Sequence, residues 1–429
     1  MNVRLILLTC RIVALIVVNR EERSLSSVAE RVRDFYERNP YPPPIDRLDG
    51  YRQLWQDTNR RLADYHLFWP SGLKREDRSI LVAGCGTSQA AKYAVRWPSA
   101  KVVGVDFSAK SVRCTEELKT KYDLQNLQVR QLSIEHVQDL GTEFDQIICT
   151  GVLHHLTDPD AGLRALRNML KPDGAMHLMV YAPYGRAGIY LLQEFCRRMD
   201  IHATQKEIQD LATALRMLPQ DHPLERLLRE VGELQEDTGI ADALLHPNDR
   251  AYSVPQLFEL IKRGGLIFGR WIRQAPYSSK CGDISKIPQA SRLAQLPLEE
   301  QFAAIELFRG TMVEHSLVLY RNDGPSRRQQ VTFSGEAWRG YVPIRMSDTV
   351  CIQERLPAGA AAILINQNHI YRDLIMPIDS IEKRLFDSID GNSSIDEIMQ
   401  KQACSLDRAC SLFDRLWWYD QVVFQTGAN

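Results

Sequence analysis

A chain of 429 residues, 44% hydrophobic and 25% charged, is globular and too long for one ordinary core, so one large and one smaller domain are expected. Its formal net charge of −1 offers no electrostatic basis for holding a polyanion, which argues against a nucleic-acid partner. None of the nine cysteines forms a C-x-x-C pair or a close triad, which excludes the usual zinc, iron–sulfur and disulfide frameworks and points to reduced, cytoplasmic thiols.

Residues 1–24 form an apolar N-terminal extension, and whether they belong to the native protein is open. Arg11 divides Leu5–Leu8 from Ile12–Val18, so the run falls short of the roughly twenty uninterrupted apolar residues of a membrane span, and no membrane partner is expected. An N-terminal helical cap follows over 25–78. One helix is expected over Leu25–Phe35, stopped by Pro40 and Pro42–Pro44, and a second over Tyr51–Pro70.

From Ser79 the pattern alternates between apolar runs and helical stretches, with strands expected at 80–84, 101–106, 127–132, 144–149 and 174–181. The first run breaks into Gly84-Cys85-Gly86, and the second ends on Asp106, twenty residues beyond Gly86. That is the strand, glycine turn and helix of a nucleotide-binding βαβ unit, with a carboxylate spaced to accept from ribose hydroxyls. A dinucleotide fingerprint wants a third glycine where Gln89 stands, so the loop suits a cofactor without a pyrophosphate. Ser108 caps the second helix, Asp158-Pro159 opens the fourth, and Pro172-Asp173-Gly174 turns into the fifth strand.

VAGCGTS (82–88), VVGVDFS (102–108), EFDQIICTGVLHHLTDP (143–159) and LRNMLKPDGAMHLMVY (166–181) together resemble the class I S-adenosylmethionine-dependent methyltransferases. The resemblance covers roughly Phe35 to Tyr320 and departs at Ser88, where the family often has glycine. It implies an α/β, Rossmann-like, seven-stranded mixed sheet with helices on both faces, closed by an antiparallel strand pair. That domain is expected over 79–321, with strands six and seven at Leu266–Ile272 and Ser316–Tyr320. Residues 186–246 interrupt it with helical patterns (Ile189–Arg198, Lys206–Leu218, Leu224–Leu234), placed as a lid over the strand ends. A dimerising or structural cap is the alternative use of that insertion.

With S-adenosylmethionine as cofactor, the resemblance assigns Asp106 to the ribose and Phe107, Ser133 and Ile134 to the adenine. Gly84, Gly86 and Thr87 would shape the methionine pocket, with Cys85 a small residue in the loop, and Thr150 and Gly151 would floor the sulfonium. His154 and His155 follow the fourth strand, and either could deprotonate an acceptor, since imidazole titrates near neutrality. No acidic residue lies at helical or hairpin spacing from them, so no metal is expected. Tyr36 and Tyr41 resemble the aromatic segment that closes over the cofactor in several methyltransferases. With Tyr181, Tyr184 and Arg250 they are the candidate substrate contacts, and Tyr190 and Asp249 lie near them.

A polar linker over 322–335 leads to a small α+β unit over 336–429. Short strands at Ala361–Asn366 and His369–Leu374 precede helices at Ile381–Ile389, Ile395–Gln402 and Asp407–Trp418 and a last strand at Val422–Phe424. The unit resembles a winged helix and, more loosely, the small peptide-binding domain of pyrroloquinoline quinone biosynthesis. From Val331 on, nine Lys/Arg face thirteen Asp/Glu, the wrong sign for DNA. The expected function is methyl transfer to a small molecule, with a peptide or protein acceptor, or cofactor binding without catalysis, as alternatives. Gln89 and the closing strand pair argue against a nicotinamide oxidoreductase.

Overall fold

The computed structural model describes residues 28–427, except 231 and 326–330; the apolar extension and part of the linker therefore lie outside the described residues. Seven strands form the central sheet: β1 (Ser79–Ala83), β2 (Lys101–Asp106), β3 (Leu127–Gln131), β4 (Phe144–Thr150), β5 (Leu170–Tyr181), β6 (Leu266–Trp271) and β7 (Glu314–Arg321). Their order is β3-β2-β1-β4-β5-β7-β6, with only β7 antiparallel to its neighbours. This is the Rossmann-like methyltransferase sheet that the motifs imply.

The strands read as unbroken apolar runs because both faces are covered. Ile80 and Val82 face one core, with the helices Thr58–Phe68 and Gln89–Arg96. Leu81 and Ala83 face the other, with Pro159–Asn168, Val254–Arg263 and Leu298–Arg309. Ser108 and Asp158 cap their helices by accepting from Ser111 N and Ala161 N. The Pro-Asp-Gly stretch lies within β5: Phe144 pairs with Leu170 and Gln146 with Ala175, so Lys171–Gly174 loops out of the ladder.

Two expectations need correction. The helix read over Tyr51–Pro70 is two helices, Asp49–Leu54 and Thr58–Phe68. Asp57 restarts the chain by accepting from Asn59 N and Arg60 N. His369–Leu374 is not a strand; Ala362–Asn366 pairs instead with Met376–Ile378 and Thr349–Ile352. Asn366 turns the chain there, its Oδ1 accepting from Asn368 N at 3.0 Å and its Nδ2 donating to Asp420 O at 2.7 Å.

The insertion folds as helices Ala187–Arg198, Gln205–Leu215, Glu225–Glu230 and Asp237–Leu245. Its buried leucines pack with Phe35 of the helix over 28–38, so the N-terminal helix and the lid share one core. The C-terminal unit comprises helices Ser380–Asp387, Ile395–Gln402 and Leu406–Trp418, a three-stranded sheet, and the pair Val342–Arg345 with Val422–Gln425. It does not stand apart. Phe413, Phe424 and Ile344 belong to the same buried cluster as Leu67, Tyr93 and Val82. Asp420 fastens the contact, accepting from Arg270 Nη2 at 3.1 Å, Gln274 N at 2.7 Å and Ala275 N at 3.0 Å. Among the described residues no helix is long and apolar enough to cross a membrane.

Candidate active site

A cavity of about 1170 Å³ opens at the carboxyl ends of β1, β2, β4 and β5, where a doubly wound sheet places its ligand. One small ligand occupies roughly 300–1,000 Å³, so a nucleoside cofactor leaves room for an acceptor beside it.

The β1 turn is built for close approach. Gly84 has φ +69°, and a Cβ there would stand 2.4 Å from Val152 Cγ2. Asp106 closes the turn from β2: Oδ2 accepts from Gly86 N at 2.8 Å and Oδ1 from Ser108 N at 2.9 Å. Burial pushes its carboxyl up to about 6, against the pull of these backbone donors. Phe107, Ser133 and Ile134 line the wall beside it, and Thr150 and Gly151 line the floor after β4. Gln89, set aside above as a mismatch, lines the same cavity and donates to Thr150 Oγ1 at 2.6 Å. Cys85 is fully buried and its thiol is pushed well up by burial, which makes it a packing group. Thr87 departs from its expected place: it lies off the cavity wall and donates to Pro42 O at 2.9 Å. That bond ties the segment carrying Tyr36 and Tyr41, both on the wall, to the glycine loop.

The two histidines separate. The turn Leu153–His155 leaves His154 with no exposed surface and off the wall, its ring 3.9 Å from that of Tyr181. Burial holds its imidazole well below the ordinary value, hence neutral. His155 lines the cavity. Its Nδ1 lies 2.9 Å from Asn248 O, which can only accept, so Nδ1 is the donor. Asn248 returns two bonds, from Nδ2 to the carbonyls of His155 and Leu156, and so fixes the turn. His155 Nε2 is itself buried and has no hydrogen-bond partner among the described residues.

The remaining wall comes from the insertion. Asp242, on Asp237–Leu245, accepts from Tyr36 Oη at 3.1 Å and Tyr181 Oη at 3.4 Å. His246 packs on His155, the ring centroids 3.9 Å apart and the planes tilted by 37°. Arg186 lies 3.5 Å from the Tyr181 ring centre and pairs with Asp249 at 3.5 Å. Sequence reasoning missed Asp242 and His246 because three distant segments bring them together. The available signal was one acid inside the apolar run Gly239–Leu244, all of which is buried. Two substrate candidates fall elsewhere: Tyr184 is 41% exposed and Arg250 is exposed, and neither lines the cavity. Tyr190 is partly buried and also off the wall. His154, His155 and Asp249 do converge, with ligand atoms within 4.8 Å of one another. The acid that spacing did not supply thus comes from a loop, although Asp249 already holds Arg186 and Gln193 Nε2, the latter at 3.0 Å.

Residues 81–176 match the family model described as a methyltransferase domain. An uncharacterized protein of Synechococcus sp. is 34% identical over 259 residues, 56% of this chain and 60% of its own length. Ubiquinone biosynthesis O-methyltransferases of Paracidovorax citrulli and Albidiferax ferrireducens are 26% and 31% identical over 144 and 145 residues, 32% of this chain and 60% and 57% of theirs. The chain thus spans about 60% of the length of the curated relatives it matches. The solved structure of PKMT2 from Rickettsia typhi in complex with AdoHcy shares the fold: TM-score 0.60, 15% identity, 90% of this chain and 77% of that one.

The sheet order and the glycine-loop site define a class I methyltransferase domain. The match is confined to residues 81–176, and S-adenosylmethionine is the cofactor that such a domain would hold here. The residues fit it: Asp106 lies on the cavity wall, where its carboxylate could accept from a ribose diol, beside the Gly84 turn, whose missing Cβ leaves room for Val152. A protonated Asp106 cannot accept both hydroxyls. Affinity for S-adenosylhomocysteine is therefore expected to hold above the Asp106 value of about 6 and to weaken, by up to about tenfold per pH unit, below it. Calorimetric titration from pH 8 to pH 5 checks this, and Asp106→Asn should abolish the step.

Proposed function

We propose that the protein transfers the methyl group of S-adenosylmethionine to an acceptor seated between His155, Tyr181 and Asp242. The observation that carries this reading is the His155 ring: it is on the cavity wall, held through Nδ1 by Asn248 O, and its buried Nε2 has no hydrogen-bond partner among the described residues. S-adenosylmethionine supplies an electrophilic methyl. His155 takes the acceptor's proton, Tyr181 and the lid helices keep water out, and the segment of Tyr36 and Tyr41 covers the site. His154, neutral and buried behind Tyr181, supports the turn.

The acceptor is read as a small molecule because the lid and the N-terminal helix enclose the chamber. A peptide or protein acceptor is the second reading, favoured by the loop Asn368–Tyr371 of the C-terminal unit, which forms the outer wall of the same cavity. The eight described cysteines are all free, in keeping with the cytoplasmic site we propose. S-adenosylhomocysteine release is the assay, with labelled S-adenosylmethionine and a panel of hydroxyl, amine and carbon acceptors. His155→Ala is expected to lower kcat about 10²- to 10⁴-fold and leave S-adenosylhomocysteine affinity within about twofold. Unchanged kcat would remove His155 from the chemistry, and absence of turnover with every acceptor would favour a non-catalytic binding protein.

A further inference from the structure

Asn248 fastens the turn Leu153–His155 to the loop that follows the helix Asp237–Leu245. Its carbonyl accepts from His155 Nδ1 at 2.9 Å, and its Nδ2 donates to the carbonyls of His155 and Leu156 at 2.9 and 3.1 Å. The next residue, Asp249, is thereby set against the two histidines: one ligand atom from each of His154, His155 and Asp249 lies within 4.8 Å of the others. All three side chains are more than nine-tenths buried, His154 and His155 at 0% and 6% exposure and the Asp249 side chain at 3%. Yet His154 Nδ1 and Nε2, His155 Nε2 and Asp249 Oδ1 have no hydrogen-bond partner among the described residues. Buried polar atoms are nearly always paired, so orphans from three side chains in one cluster call for a shared ligand. His246 does not join them. Its Nδ1 accepts from Asn248 N at 3.1 Å, which leaves the proton of the neutral ring on Nε2.

We infer that His154, His155 and Asp249 form a site for a divalent transition-metal ion of the zinc class. Two imidazole nitrogens and one carboxylate oxygen suit zinc, cobalt or nickel, and not magnesium or calcium, whose ligands are oxygens. The other atoms of the ligands are held as such a site requires. His155 Nδ1 is fixed by a backbone carbonyl, and Asp249 Oδ2 accepts from Gln193 Nε2 at 3.0 Å, so Nε2 and Oδ1 are the atoms left to bind. Tetrahedral zinc ligands at about 2.1 Å stand roughly 3.4 Å apart, so the cluster must draw in by up to about 1.4 Å. Arg186, 3.5 Å from Asp249 Oδ2, opposes the ion and keeps the expected affinity in the micromolar range. His155 and Arg186 line the cavity, which gives an ion its way in. The site does not depend on the methyltransferase reading, but its consequence rests on it. An ion on His155 Nε2 occupies the lone pair that would receive the acceptor's proton, so zinc should switch methyl transfer off.

The test uses the full chain, freed of metal by dialysis against EDTA and titrated calorimetrically with Zn²⁺ and with Mg²⁺. Wild type is expected to bind one Zn²⁺ per chain and no Mg²⁺. Co²⁺ in its place should give the visible d–d bands of nitrogen and oxygen ligands, without the thiolate-to-cobalt band that a site on the free cysteines would show. Asp249→Asn should weaken Zn²⁺ binding at least about tenfold, with an unchanged far-ultraviolet circular dichroism spectrum to report that the variant is folded. If it fails to fold, His154→Gln takes its place, with the same loss expected. Zn²⁺ binding that is absent in wild type, undiminished in the folded variant, or accompanied by the thiolate band would overturn the inference. With any acceptor that wild type methylates, saturating Zn²⁺ should lower turnover at least about tenfold, and EDTA should restore it. Zinc bound at the site with turnover unchanged would instead remove His155 Nε2 from the chemistry proposed above, a result distinct from loss of the site.

Discussion

Asp106→Ala is expected to weaken S-adenosylhomocysteine binding at least about 100-fold in calorimetric titration. Two ribose hydroxyls would donate to this carboxylate, and hydrogen bonds to a charged group contribute roughly 1.5–3 kcal/mol each. Their loss alone, about 3 kcal/mol or more, is a factor of about 10² in affinity. The carboxylate also positions its own surroundings, since it accepts from Gly86 N at 2.8 Å and Ser108 N at 2.9 Å. Removing it frees the glycine turn as well as the ribose. Asp106→Asn keeps the shape but turns one acceptor into a donor, so an intermediate loss is expected. Wild-type affinity in Asp106→Ala would mean that the cofactor's ribose is held elsewhere.

Asp420→Ala is expected to cost about 3–5 kcal/mol of unfolding free energy, the usual result of removing one member of a buried ion pair. Arg270 and Asp420 are 5% and 2% exposed at the side chain, and nothing else in the contact replaces the carboxylate. The Arg270 guanidinium lies 4.1 Å from the Trp417 ring centre, and burial already pulls it down to about 10. Without Asp420 it is a buried charge with no anion, and the N–H groups of Gln274 and Ala275 lose their acceptor. His369 Nε2, 3.1 Å from Asp420 Oδ2, loses its anchor too, so the loop that walls the cavity should loosen. Asp420 has φ +53°, a conformation that asparagine tolerates better than alanine. Asp420→Asn therefore isolates the charge from the backbone and should cost less. Urea unfolding of the three proteins measures the differences, and equal midpoints would show that the C-terminal unit is held by its apolar contact alone.

The glycine turn and the Asp106 carboxylate, where we place the cofactor, were legible because their geometry is local. A glycine turn and a carboxylate at the ends of adjacent strands follow from two apolar runs, and register places Ala83 beside Val105. The acceptor half was not legible in that way. Tyr36, His155, Tyr181 and Asp242 come from four segments, and no periodicity relates a residue of the N-terminal helix to one of the lid. Asp57 shows a local signal overruling a wider one: apolar positions ran on through 51–70, but a capping acid restarted the helix. Met376–Ile378, absent from the expected strands, contains Pro377. A proline speaks against a strand, yet Met376–Ile378 is an edge strand, where a missing N–H goes unused. Thr87 had the right neighbourhood and a different duty, since its hydroxyl was needed by the Pro42 carbonyl.

The measurement that bears most directly on the central claim is calorimetric titration of the full chain at pH 7.5 with S-adenosylhomocysteine and, in parallel, with NADH. The account predicts one S-adenosylhomocysteine site per chain, with micromolar affinity or tighter, and no heat from NADH. Binding of NADH without S-adenosylhomocysteine would contradict it, and would return the glycine turn and Asp106 to a dinucleotide.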